Sequence, residues 1–353
     1  MSYYIYTNID LTLNFTWLSP YLLRYQKSSN KISSNITITL FNKVYSAELY
    51  QDQITMLNYI NKTKINLPNF LYYYLTSEIR TEHDSIGLAH SFTNNQYSIV
   101  HQLYNNNYID KRSFTFILNE YITPKLENSN FIFFGTPSLP YVTSLHNTKH
   151  LTCKVKQHLI SWGCELNKIE FNSKHIQTYA LANQIGYFQT YKYNIQAPIK
   201  FIEYLYMNMF YDYFKNGTCK YTDGNYKKII CLNEYVGYFD SIRFCFGNEG
   251  KCLLLRNDKL FVVYSTNYML FVIEENHINK DNDKLWLFGK YFMPFFNSTF
   301  SYDDDSVTFY SDNYVVEELS KKMNMIKGLF CINGVILIGG MVLMLFCGKF
   351  IKR

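Results

Sequence analysis

The stretch LWLFGKYFMPFFNSTFSYDDDSVTF, residues 285–309, decides how this 353-residue chain is read. It crowds aromatic residues around one acidic run, Asp303-Asp304-Asp305. The run reads as a solvated hairpin turn rather than a metal site, because a strand pattern resumes at once with Val307-Thr308-Phe309-Tyr310. The same period-two alternation recurs upstream. Residues 36–41 (ITITLF), 113–118 (SFTFIL), 241–246 (SIRFCF) and 259–264 (KLFVVY) are predicted strands. Gly247-Asn248-Glu249-Gly250 is a predicted hairpin turn. Only two stretches have a helical pattern, residues 97–104 and 198–209. The second places Pro198 at its first turn and apolar residues at 201, 202, 205 and 209. Strands and helices do not alternate, which excludes a doubly wound sheet.

Composition agrees with a β-rich body. The chain holds 34 Tyr and 28 Phe, residues that fit a pleated, half-buried surface. Its net charge of +6 comes from scattered Lys and Arg, so no basic face for nucleic acid is expected. No Cys-x-x-Cys pair or Cys/His cluster suggests a metal, no phosphate loop suggests a nucleotide, and no cofactor is expected.

Residues 328–348, GLFCINGVILIGGMVLMLFCG, carry no charge and are bracketed by Lys327 and Lys349. At about 1.5 Å per residue, a helix of this length crosses a hydrocarbon core of roughly 30 Å. A single transmembrane helix with a short basic tail, 349–353, is the expectation. Lys321, Lys322 and Lys327 balance Lys349, Lys352 and Arg353, so the charges do not orient it. Cys331 and Cys347 sit in or beside the span. The other six cysteines form short-range couples, 153/164, 219/231 and 245/252. With sequons at Asn14, Asn35, Asn61, Asn216 and Asn297, they favour a lumenal or extracellular body in the secretory pathway or at the cell surface. The opening MSYYIYTNIDLTLNF has neither the charged nor the apolar region of a secretory signal. Either the true start lies upstream, or the chain is tail-anchored with a cytosolic body.

Residues 285–309 resemble the closing segment of pepsin-like aspartic proteases. That family has a Trp-Ile-Leu-Gly-Asp-x-Phe turn there, then an aromatic strand, an acidic turn and a Val-Gly-Phe strand. Other segments are similar to the family's motifs in the same order: Asp84-Ser-Ile-Gly-Leu-Ala-His90, the helix near 98–104 with strand 114–118, Trp162 to Ile169, and Phe239 to Phe246. The resemblance covers roughly residues 6–310. It implies a mainly β, bilobal fold with a few short helices. The lobes would be 1–134, lacking the family's first strand, and 135–312, divided near Gly135-Thr-Pro-Ser-Leu-Pro140. A juxtamembrane linker, 313–327, would follow.

The family's chemistry needs two Asp-Thr/Ser-Gly loops. Two carboxyls about 3 Å apart share one proton, so one activates water while the other protonates the carbonyl oxygen. By resemblance, Asp10 takes the first aspartate position, seven residues before Trp17. Leu11 and Thr12 replace the Thr and Gly that should follow. Nine residues before Pro198 stands Gln189, in place of the second aspartate. Thr190 is retained and Tyr191 replaces the glycine. No Asp occurs between 176 and 200. On the flap, Leu40 takes the tyrosine position, and Phe41 and Lys43 those of glycines. Glutamine is neutral and cannot act as a general base. The expectation is a membrane-anchored, inactive relative that binds or scaffolds other membrane proteins or peptides in its cleft. An active aspartic endopeptidase and an unrelated membrane glycoprotein are the alternatives. The resemblance also implies a disulfide Cys219–Cys231, while Cys245–Cys252 and Cys153–Cys164 are paired by spacing alone.

Overall fold

The computed structural model describes residues 7–10, 17–18, 30–40, 43–57, 64–76, 84–90, 97–117, 131–137, 147–156, 162–172, 176–190, 193–222, 228–247, 250–276 and 284–317. For several strand positions, including 7–10, 17–18, 38–40 and 84–87, the description is of the backbone alone. The transmembrane segment read at 328–348 lies outside these residues. Among the described residues no helix is long and apolar enough to cross a membrane.

The N-terminal half supplies β1 (Thr7–Asp10), β2 (Trp17–Leu18), β3 (Lys31–Leu40), β4 (Lys43–Leu57), β5 (Lys64–Leu75) and β6 (Asp84–Gly87). They form one sheet in the order β1-β6-β2-β5-β4-β3. Then come α1 (Ile99–Asn105), β7 (Ser113–Ile117), β8 (Phe131–Phe134) and β9 (His150–Lys154). The C-terminal half begins with β10 (Gly163–Asn172), β11 (Ile176–Phe188) and β12 (Ile195–Ala197), followed by the helices α2 (Ile199–Leu205) and α3 (Tyr211–Lys215). It continues with β13 (Cys219–Tyr221), β14 (Ile229–Leu232), β15 (Ile242–Phe246), β16 (Lys251–Leu255), β17 (Phe261–Val263), β18 (Tyr268–Phe271) and β19 (Ile273–Glu275). The last strands are β20 (Leu285–Phe288), β21 (Asn297–Ser301), β22 (Ser306–Tyr310) and β23 (Val315–Glu317). An eight-stranded sheet runs β19-β12-β20-β11-β10-β15-β16-β23, and a small one runs β13-β14-β18-β17.

A five-stranded sheet, β8-β7-β21-β22-β9, joins the halves. At its centre Thr115 faces Thr299, their hydroxyls 2.9 Å apart. One face is an aromatic stack: Phe114 lies flat on Phe300 at 4.8 Å, and Trp162 meets Phe300 edge-on at 5.1 Å. All three rings are fully buried. This sheet spans the predicted boundary near residue 135, so the two lobes share a core rather than meeting at a linker.

The alternating segments emerge as β3, β7, β15 and β17, within a few residues of the predicted bounds. The 259–264 strand starts later, at Phe261, because Asn257–Lys259 forms a 3-10 turn. The helix read at 198–209 is longer and interrupted. A π-helical turn at Tyr206–Phe210 separates α2 from α3. It buries Phe210 against Phe239 and Phe271 at 5.0 and 4.9 Å. The linker assigned to 313–327 also needs correction: β23 adds an edge strand on β16, with Glu317 opposite Lys251.

All three cysteine couples are disulfides, with Cα separations of 5.9 Å (Cys153–Cys164), 4.1 Å (Cys219–Cys231) and 4.0 Å (Cys245–Cys252). The last spans the predicted hairpin, whose Gly247 and Gly250 both have positive φ. The buried Glu170 carboxylate lies beside Cys245 and Cys252, but those sulfurs are bonded to each other.

Candidate functional site

Backbone register brings the two halves into correspondence. In the N-terminal sheet β1 runs parallel to β6, pairing Ile9 with Ile86 and Asp10 with Gly87. In the C-terminal sheet β11 runs parallel to β20, pairing Phe188 with Phe288. β2 touches β6 antiparallel at Trp17–Ser85 and β5 parallel at Trp17–Tyr73. β12 touches β20 antiparallel at Gln196–Leu287 and β19 parallel at Gln196–Glu274. Matching Trp17 with Gln196 matches Ser85 with Leu287, hence Ile86 with Phe288 and Ile9 with Phe188. Asp10 and Gln189 are then the corresponding residues. The spacing from Asp10 to Trp17 equals that from Gln189 to Gln196, so both ends of the repeat agree.

Local packing fixes the Gln189 turn. Gly186 passes between two rings, and a Cβ there would meet Phe288 at 2.7 Å and Phe246 at 2.8 Å. The Phe188 amide donates to the Trp162 carbonyl and the Gln189 amide to the Phe288 carbonyl, both at 3.0 Å. Gln189 is 5% exposed, and its Nε2 has no hydrogen-bond partner among the described residues. Thr190 is half-buried. Thr12 and Tyr191 lie outside the described residues. Leu40, read as a flap residue, ends β3, and its backbone pairs with that of Lys43 at the start of β4.

Sequence reasoning did not find the polar network after Gln189. Asn194 and Gln196 donate their amides to Glu274 at 3.0 and 3.2 Å, and Lys228 Nζ lies 2.8 Å from the same carboxylate. Burial alone would raise the Glu274 pKa. The hydrogen bonds from Lys228, Asn194 and Gln196 outweigh it and hold the group below the usual carboxylate range. The amide oxygens Asn194 Oδ1 and Gln196 Oε1 are buried without partners among the described residues. No short motif marks this set, because Glu274 is about 80 residues from its amide partners.

Of the sequons, Asn216 is exposed just after α3, and its Oδ1 accepts from the Thr218 amide at 3.2 Å. Asn297 is 1% exposed within β21, so a glycan does not fit there in the folded chain, contrary to expectation. Asn14 and Asn61 lie outside the described residues, and Asn35 is placed on β3 by its backbone only.

A glutamine in this position can donate and accept hydrogen bonds but cannot share a proton with a carboxyl group. No family model matches the chain, and no curated protein matches it. Solved structures do. An aspartic proteinase from Irpex lacteus superposes with a TM-score of 0.64 at 14% identity, over 87% of this chain and 89% of that one. The basic 7S globulin from soybean gives 0.65 at 13%, over 86% and 88%. Conglutin gamma, a basic 7S globulin from lupine seeds, gives 0.66 at 12%, over 86% and 87%. At such identities the likeness is one of fold: over most of its length this mainly β chain is similar to the pepsin-like fold.

Proposed function

We propose that this chain is a catalytically inactive pepsin-fold protein, held to a membrane by residues 328–348, whose cleft binds peptide or protein segments without cleaving them. One observation carries the reading: Gln189 holds the backbone position that corresponds to Asp10. A lone carboxylate facing a neutral amide lacks the shared proton that activates water and protonates the peptide carbonyl. Gln189 Nε2, Asn194 Oδ1 and Gln196 Oε1, buried and without a hydrogen-bond partner among the described residues, support a binding role, since such atoms gain most from a ligand that completes them. The fold itself is neutral on activity, because its neighbours include both a proteinase and globulins. Three disulfides and the exposed Asn216 sequon support an oxidising, lumenal or extracellular body.

The test is a peptidase assay on the full-length, detergent-solubilised protein at acid pH, with and without a pepstatin-type inhibitor. No inhibitor-sensitive cleavage is expected. Cleavage that the inhibitor blocks and that Asp10→Ala abolishes would contradict the reading and favour the active endopeptidase.

A further inference from the structure

The acidic turn and the residue that follows the β6 segment meet across 215 residues of sequence. His90 is 2% exposed, and its Nε2 lies 2.9 Å from Asp305 Oδ1. A carboxylate only accepts, so Nε2 carries the hydrogen, and a further proton can enter the ring only at Nδ1. The imidazole stacks on Tyr302 at 5.4 Å and meets Trp162 edge-on at 4.9 Å. His101, on α1, meets the same Tyr302 ring edge-on at 4.8 Å. Its Nδ1 is buried with no hydrogen-bond partner among the described residues. Tyr302 Oη donates to the Leu88 carbonyl at 2.9 Å, and Trp162 Nε1 donates to that same carbonyl at 2.6 Å. One carbonyl of the N-terminal half is therefore gripped by two side chains of the C-terminal half. The ring that grips it touches two buried imidazoles.

We propose that this cluster is an acid-sensitive clasp between the halves: at neutral pH it ties residues 88–90 to the joining sheet, and proton uptake by His90 and His101 releases them. The proposal stands whether or not the cleft binds a peptide.

The surrounding charges set the direction. Arg112, just before β7, is paired with Asp303 at 2.6 Å. Asp304 bonds Ser301, and Lys154 on β9 reaches the Asp304 carbonyl. Asp305 meets the imidazole of His90 directly. Burial lowers the His90 pKa, outweighing the upward pull of Asp305. Burial also lowers that of His101, to about 4, with Arg112 and His90 adding repulsion and Asp303 opposing it. Both histidines are neutral when folded, and the unfolded chain takes up protons first. The clasp is at full strength above about pH 6.5 and weakens as the pH falls toward the folded values. Release would reach the candidate site directly, because residues 88–90 continue from Gly87, the backbone partner of Asp10.

Amide exchange of the full-length protein, read by mass spectrometry at neutral pH and at about pH 4.5 and corrected for intrinsic rates, tests this. Protection of residues 86–90 should fall at least about ten-fold at the lower pH while β15 keeps its protection, and His101→Phe should remove most of that fall. Unchanged protection at 86–90, or an equal fall in His101→Phe, overturns the clasp. If that variant does not fold, histidine NMR on the natural protein decides. Two of its eight histidines should titrate well below the ordinary value of about 6.5, and normal titration of all eight overturns the proposal.

Discussion

Glu274 shows why single residues near the candidate site are poised rather than inert. Its side chain is 14% exposed, and a carboxylate so enclosed keeps its charge only because three donors surround it. Lys228 is the only charged donor among them. Lys228→Met is therefore expected to cost about 2 kcal/mol in urea unfolding at neutral pH. The sign with pH follows from the depressed pKa of Glu274. Its stabilising contribution is present above the unfolded carboxylate value of about 4.3 and is lost as the pH falls through the folded one, so the penalty of Lys228→Met should shrink below about pH 4. An unchanged penalty in acid would show that Lys228 acts by packing instead. Gln189 and Glu274 differ in how they could be found. Gln189 lies at a fixed count before Pro198 and was readable from that frame. Glu274 gains its partners only when β12 and β19 pair, and nothing local in the sequence marks it.

Among elements, the strands were legible because large apolar residues recur at every second position along them. In β7 Phe114 enters the core, and in β15 Phe244 and Phe246 do so. The cysteine couples were legible because each joins neighbouring chain segments. Cys245 and Cys252 face each other across a hairpin, and Cys219 faces Cys231 across β13–β14. The π-helical turn at Tyr206–Phe210 was not legible. An extra residue in a turn leaves the apolar spacing almost unchanged, and only the contacts of Phe210 reveal the phase shift. β23 was missed because three residues cannot establish a period. Cys153–Cys164 closes the link from the joining sheet to β10, beside the Val155–Cys164 bridge. Replacing both cysteines by Ala is expected to lower unfolding stability by about 3 kcal/mol, the loop entropy of a dozen residues. A loss below about 0.5 kcal/mol would mean the unfolded chain gains little freedom there.

For the whole molecule, the two halves repeat one pattern of parallel and antiparallel pairings around a sheet that both build. Four strands of the joining sheet are symmetric about the Thr115–Thr299 contact, with β7 matching β21 and β8 matching β22, while β9 adds a fifth strand on β22. Motif order along the sequence suggested this architecture, and register expresses it as geometry. The His90–Asp305 contact was hidden from the sequence because it exists only once the halves have joined. The same repeat sets Asp10 against Gln189, and this correspondence is what the proposed loss of catalysis rests on. The most direct measurement is a high-resolution crystal structure of the site. The account expects Gln189 Nε2, buried and lacking a partner among the described residues, to lie within about 3.2 Å of the Asp10 carboxylate or of a water bound to it. A second carboxylate facing Asp10 in place of that amide would contradict it.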